Sequence, residues 1–110
     1  MQGAEVDKQS TRLEQELNRV VGQLRALGAR RIILFGSLAR GRPRLGSDLD
    51  LLAIFEDGLT FKERMRYVYT HLDADVDVDV LAYNREEFER LKHRSFFRRI
   101  LREGKVVYEA

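Results

Sequence analysis

Residues 31–55 read RIILFGSLARGRPRLGSDLDLLAIF, and the fold turns on this stretch. Arg31 to Phe35 is short, apolar and rich in β-branched residues, the composition of a buried strand. Gly36 ends it. Ser37 to Arg40 has room for one helical turn. Gly41 to Gly46, with the chain's one proline at Pro43, reads as a loop. Asp48 to Phe55 is a second strand, apolar on both faces once past its aspartates. Two strands thus meet at a sharp turn, an arginine-rich loop and a carboxylate pair with almost no apolar cover.

Working outward, Leu13, Leu17, Val20, Val21, Leu24 and Leu27 fall at helical spacing. They predict an amphipathic helix over 7–27, with Gly28 as its stop. After the Glu56-Asp57-Gly58 turn, Thr60 can cap a helix from Phe61 to about Leu72, with Glu63 at the capping-box position. Asp75 to Ala82 alternates aspartate with valine and predicts a third strand. Residues 85–94 and 95–103 read as two helices or one kinked helix, stopped by Gly104. Lys105 to Tyr108 reads as a short edge strand. Helix, strand, strand, helix, strand, helix, strand is the order of an α/β or α+β sandwich.

A chain of 110 residues is expected to form a single domain with one modest core. Apolar residues make up 44% and charged residues 35%, a globular composition with a heavily charged surface. The net charge of +2 is too balanced to predict nucleic-acid binding by itself. Its distribution says more. Arg30 to Ser47 holds five arginines and no acid, while Asp73 to Asp79 holds four aspartates and no base. The chain has no cysteine, which excludes thiolate chemistry and fits a reducing cytoplasm. No apolar run approaches the roughly 20 residues of a membrane span, and the N-terminus is too polar for a signal core.

The chemistry gathers at the turn and the aspartates. Backbone amides at the start of a helical turn make an anion site; Gly36 lets a phosphate approach, and the Ser37 hydroxyl can bond it. Arg40 and Arg42 lie within reach to add charge. The plain alternative is an ordinary strand-to-helix turn capped by serine. Asp48 and Asp50 leave the same face of a strand, roughly 6.5–7 Å apart at Cα. Such a pair can share metal ions about 3.5–4 Å apart. The expected ion is Mg²⁺, a hard cation that keeps waters for a phosphate substrate. Asp75, Asp77 or Asp79 can complete a triad from the third strand; otherwise the three form a solvated row. His71 and His93 are helix-surface residues with no acid partner in view. Tyr67, Tyr69, Phe96 and Phe97 are read as packing, with base stacking as the alternative role for one of them. The basic run from Arg90 to Arg102 is a solvated helix face, or failing that a contact for nucleic acid or an acidic partner.

With these residues assembled, the sequence resembles the minimal nucleotidyltransferases of the DNA polymerase beta superfamily. Gly36-Ser37, ten intervening residues and Asp48-x-Asp50 match that pattern, as do Ala39-Arg40-Gly41 and Ser47. The segment VDVLAYNREEFERLK resembles the stretch carrying the third carboxylate, and REGKVVYEA resembles the family's ending. The resemblance covers roughly residues 30–110, with 1–29 as an N-terminal helix packing on that domain. It implies a mixed sheet flanked by helices, two Mg²⁺ ions, and a nucleoside triphosphate donor, ATP. In that register Asp79 is the third carboxylate and Asp77 the fallback. Asp48 and Asp50 would hold both ions and the triphosphate, and Asp79 the ion beside the acceptor hydroxyl. Gly36 and Ser37 would grip the β- and γ-phosphates, with Arg40 and Ser47 completing the nucleotide site. The implied acceptor is a hydroxyl on a small molecule or on a protein, and such small chains are similar to antitoxins that adenylylate an all-helical HEPN toxin. The implied partner is therefore a HEPN-type protein, or a second copy of the chain. The competing expectation is a module that binds nucleotide or partner without turnover, and behind it a nucleic-acid binder using the arginines.

Overall fold

The computed structural model describes residues 4–41 and 46–110. The chain runs α1 (Ala4–Ala26), β1 (Ala29–Phe35), α2 (Gly36–Ala39), β2 (Leu49–Phe55), α3 (Phe61–His71), β3 (Val78–Asn84), α4 (Arg85–Leu91), α5 (Ser95–Glu103) and β4 (Lys105–Glu109). The strands form one sheet in the order β3-β2-β1-β4. β1 is antiparallel to both β2 and β4, whereas β2 and β3 are parallel and joined through α3. This is the expected mixed sheet flanked by helices. Arg42, Pro43 and Arg44, expected in the loop before β2, lie outside the described residues.

Alternation along each strand sorts the side chains into two cores. Ile32 and Leu34, with Leu49, Leu51, Ala53, Val80 and Ala82, face α1 and α3 and pack on Val20, Leu24 and Val68. Ile33, Leu52 and Ile54 face α4 and α5 and pack on Phe88, Phe97 and Ile100. β2 is covered on both faces, which is why it reads as an almost unbroken apolar run.

Local chemistry sets the element ends. Gly28, at φ +113°, takes the left-handed conformation that stops α1. Thr60 caps α3 as expected: its hydroxyl accepts from the Glu63 amide at 3.2 Å, and Glu63 accepts from the Thr60 amide at 2.9 Å. Asn84 and Glu87 form a second capping box on α4. Residues 85–103 are two helices, not one.

The third strand starts later than the alternation of Asp75 to Ala82 predicts, at Val78, and runs on to Asn84. Of the segment before it, Asp77 still meets the head of β2, while Asp73 and Asp75 find backbone partners on α1. The Asp73 amide donates to Gln23 Oε1 and the Asp75 amide to Glu16 Oε1. The Asp77 carbonyl accepts from the amides of Asp48 and Leu49. Side chains of α1 thus take the hydrogen bonds that a ladder would otherwise supply. Asp75 does not join a strand face with Asp79.

Candidate functional site

The register of the three inner strands builds the site. Phe35 pairs with Asp50, and Asp50 with Asp79, so one row of side chains crosses β1, β2 and β3 on the α4–α5 side. The row behind it, Ile33–Leu52–Leu81, belongs to the apolar core. The two carboxylates therefore stand at the rim of that core, where the covering helices end. Asp50 is only partly exposed and Asp79 is exposed.

Gly36 carries the close approach this needs. A Cβ at that position would lie 2.2 Å from Asp50 Oδ2, and its φ of +78° is one that side chains avoid. The glycine that ends β1 is also the floor on which the Asp50 carboxylate rests. The α2 turn follows immediately, with Ser37 half-buried at its second position.

Ser47 joins the carboxylates. Its hydroxyl oxygen lies 2.7 Å from Asp50 Oδ1 and 2.9 Å from Asp79 Oδ2. A hydroxyl has one proton and donates it to one carboxylate at a time. Two carboxylates thus converge on one hydroxyl among the described residues, and a cation shared between them would offset their mutual repulsion. The donors are all hard oxygens, which suits Mg²⁺. Asp48, one residue before β2, accepts from the Asp77 amide through Oδ2 at 3.2 Å. Among the described residues no three acidic or imidazole side chains stand close enough to ligate one ion. Asp50 and Asp79 are the two brought together; the Asp48 carboxylate accepts from the Asp77 amide, and Asp77 enters the group through its backbone.

On the other side of Gly36 the sequence reading named only part of what is present. A cleft of about 190 Å³ lies between the Phe35–Gly36 turn and α5, lined by Arg40, Phe96, Arg99 and Glu103 among others. Glu103 accepts from Arg99 at 3.2 Å and lies 3.7 Å from Arg40 Nη1. Burial pushes the Glu103 carboxyl up, but the Arg99 hydrogen bond and the neighbouring guanidinium charges outweigh it and hold the group below its ordinary range. Arg99 was hidden in a basic helical run and Glu103 lies just past its end, and nothing local in either points across to Gly36.

Two comparisons bear on these residues. Residues 27–110 match the family described as Polymerase beta, Nucleotidyltransferase. The fold superposes on the crystal structure of a candidate nucleotidyltransferase from Sulfolobus solfataricus, with a TM-score of 0.64 and 20% identity, over 94% of this chain and 86% of that one. At that identity the likeness is one of fold. No curated protein matches the sequence significantly.

Proposed function

The chain belongs to the polymerase beta nucleotidyltransferase family, and from that premise we propose that it is a Mg²⁺-dependent enzyme moving AMP from ATP onto a hydroxyl group. The observation that carries this reading is the Ser47 bridge, which holds Asp50 and Asp79 side by side on parallel strands. Asp50 and Asp79 would hold Mg²⁺ where Ser47 joins them, and Asp48 would turn from the Asp77 amide to join them. When bound, the ion would neutralise charge developing on the phosphates and leaving group. The Gly36-Ser37 turn, with Arg40, orients the β- and γ-phosphates against Asp50. Ser47 keeps the two carboxylates apart and aligned. Asp79, the more exposed, takes the proton of the acceptor hydroxyl as its oxygen bonds to the α-phosphorus. The bond from that phosphorus to the bridging oxygen breaks, and pyrophosphate leaves.

Exposure of Asp79 leaves the acceptor side open to a large molecule. This favours a hydroxyl on a protein, and the resemblance to toxin-paired antitoxins makes a HEPN-type partner the first acceptor to try. Pyrophosphate release from Mg·ATP with that acceptor measures the reaction. Asp50→Ala and Asp79→Ala are each expected to lower kcat at least about 10³-fold while retaining the fold. Wild-type turnover no faster than that of the variants would leave a binding module in place of an enzyme.

A further inference from the structure

We propose that the cleft between the Phe35–Gly36 turn and α5 receives the base of the nucleoside triphosphate, stacked on the exposed face of Phe96. This inference rests on the nucleotidyl-transfer reading above. α5 carries two consecutive phenylalanines with opposite fates: Phe97 is 6% exposed and belongs to the core, whereas Phe96 is 52% exposed. Phe96 is nonetheless held in place. Its ring stands perpendicular to that of Phe35 at 6.1 Å and 89°, and to that of Phe97 at 5.3 Å and 84°. Two perpendicular ring contacts thus hold an aromatic side chain that is half exposed and lines the cleft, which suits a stacking platform.

Position gives the platform its occupant. Phe35 is the register partner of Asp50, and Gly36 touches the Asp50 carboxylate, so cleft and carboxylates share one wall. Asp79 lies beyond Asp50, on the far side from the cleft. With the β- and γ-phosphates over the Gly36-Ser37 turn and the α-phosphate over Asp50, the cleft lies one strand away from the α-phosphate, within reach of the base it carries, and the Asp79 side is left for the acceptor. The volume, about 190 Å³, is below the roughly 300–1,000 Å³ of a site for a drug-sized ligand and matches one heteroaromatic base. Arg40 and Arg99 also line the cleft, each paired with Glu103. A phenyl face grips any base through its π-surface, so purines are favoured over pyrimidines by area alone.

Calorimetric titration with Mg·ATP and with Mg·tripolyphosphate, which lacks base and sugar, tests the assignment. Wild type should bind ATP more tightly than tripolyphosphate. Phe96→Ala should weaken ATP roughly 10- to 100-fold, the loss of one stacked base, and leave tripolyphosphate unchanged. Phe96→Trp should restore ATP binding, which a merely structural role for the ring would not require. Equal ATP affinity in wild type and Phe96→Ala overturns the proposal, as does a parallel loss of both ligands. Wild-type tripolyphosphate binding as tight as that of ATP overturns the base subsite alone. Failure of wild type to take up either ligand overturns the nucleotidyl-transfer reading with it.

Discussion

Gly36 shows how much one missing side chain can decide. It ends β1, permits a φ of +78°, and leaves room for Asp50 Oδ2 where a Cβ would stand. Alanine there must accept a strained backbone and displace the carboxylate. Gly36→Ala is therefore expected to cost roughly 2–3 kcal/mol of stability and most of the activity. In an Asp50→Ala background the same change should cost at least about 1 kcal/mol less, because the carboxylate contacts are gone while the backbone strain and a tight contact with the Cβ of residue 50 remain. A double-mutant cycle by urea denaturation measures the difference; strictly additive costs would mean that Gly36 serves its backbone conformation only. The glycine itself was legible, since a Gly-Ser after an apolar run and before an Asp-x-Asp is a recognisable arrangement. Its contact with Asp50 was not, because fourteen positions separate the two and only the β1–β2 register brings them together.

Between elements, the chief device is Arg64, which the sequence places in the helix capped by Thr60 and nothing more. It is fully buried. Its guanidinium donates to both oxygens of Asp57, to Glu87, and to the carbonyls of Leu59 and Ala82. One side chain thus fastens the β2–α3 turn, the end of β3 and the first turn of α4. Burial alone would push its pKa down, but Asp57 and Glu87 outweigh that and hold it above its ordinary value. Arg64→Met strands two partly buried carboxylates and is expected to cost on the order of 3 kcal/mol. The same cluster gives a pH dependence. The Arg64 hydrogen bond holds the Asp57 carboxyl below its ordinary range. Between that lowered value and the unfolded one, about 3.9, the unfolded chain binds more protons, so stability rises with pH. The contribution is complete above the unfolded value and is lost as pH falls through the folded one. The stability gap between wild type and Asp57→Asn should be wide at neutral pH and narrow in acid below that window; a gap independent of pH would remove Asp57 from the account. Element types were readable from periodicity and caps, as Thr60 and Glu63 show. Arg64 was not, because a buried arginine looks like a surface one until its two acids, seven and twenty-three residues on either side, are known to meet it.

At the scale of the whole molecule, the sheet has two edges, and they are treated differently. β4, short and bearing Lys105 and Glu109 at its ends, is a poor template for another strand. β3 is longer, and α3 covers it. The Val80 amide donates to the Tyr69 hydroxyl at 2.7 Å, that hydroxyl reaches the Val80 carbonyl at 3.3 Å, and the Ala82 amide points at the Met65 sulfur at 3.4 Å. Tyr69 thus stands in for a neighbouring strand, beside Val80 and one residue from Asp79. The order of elements and the sandwich were visible along the chain, because each element carries its own period. The start of β3 and the sealing of its edge were not, because α1 and α3 supply those hydrogen bonds from distant positions. Tyr69→Phe keeps the ring and removes the bridge. It is expected to cost about 1 kcal/mol, to speed hydrogen exchange at the Val80 amide several-fold, and to lower kcat more than it changes KM, since Asp79 hangs from the loosened strand. Exchange at Val80 measured by NMR is the deciding observation. If that amide remains as protected as in wild type, the strand is held by its ladder to β2 alone, and the placement of Asp79 owes nothing to α3.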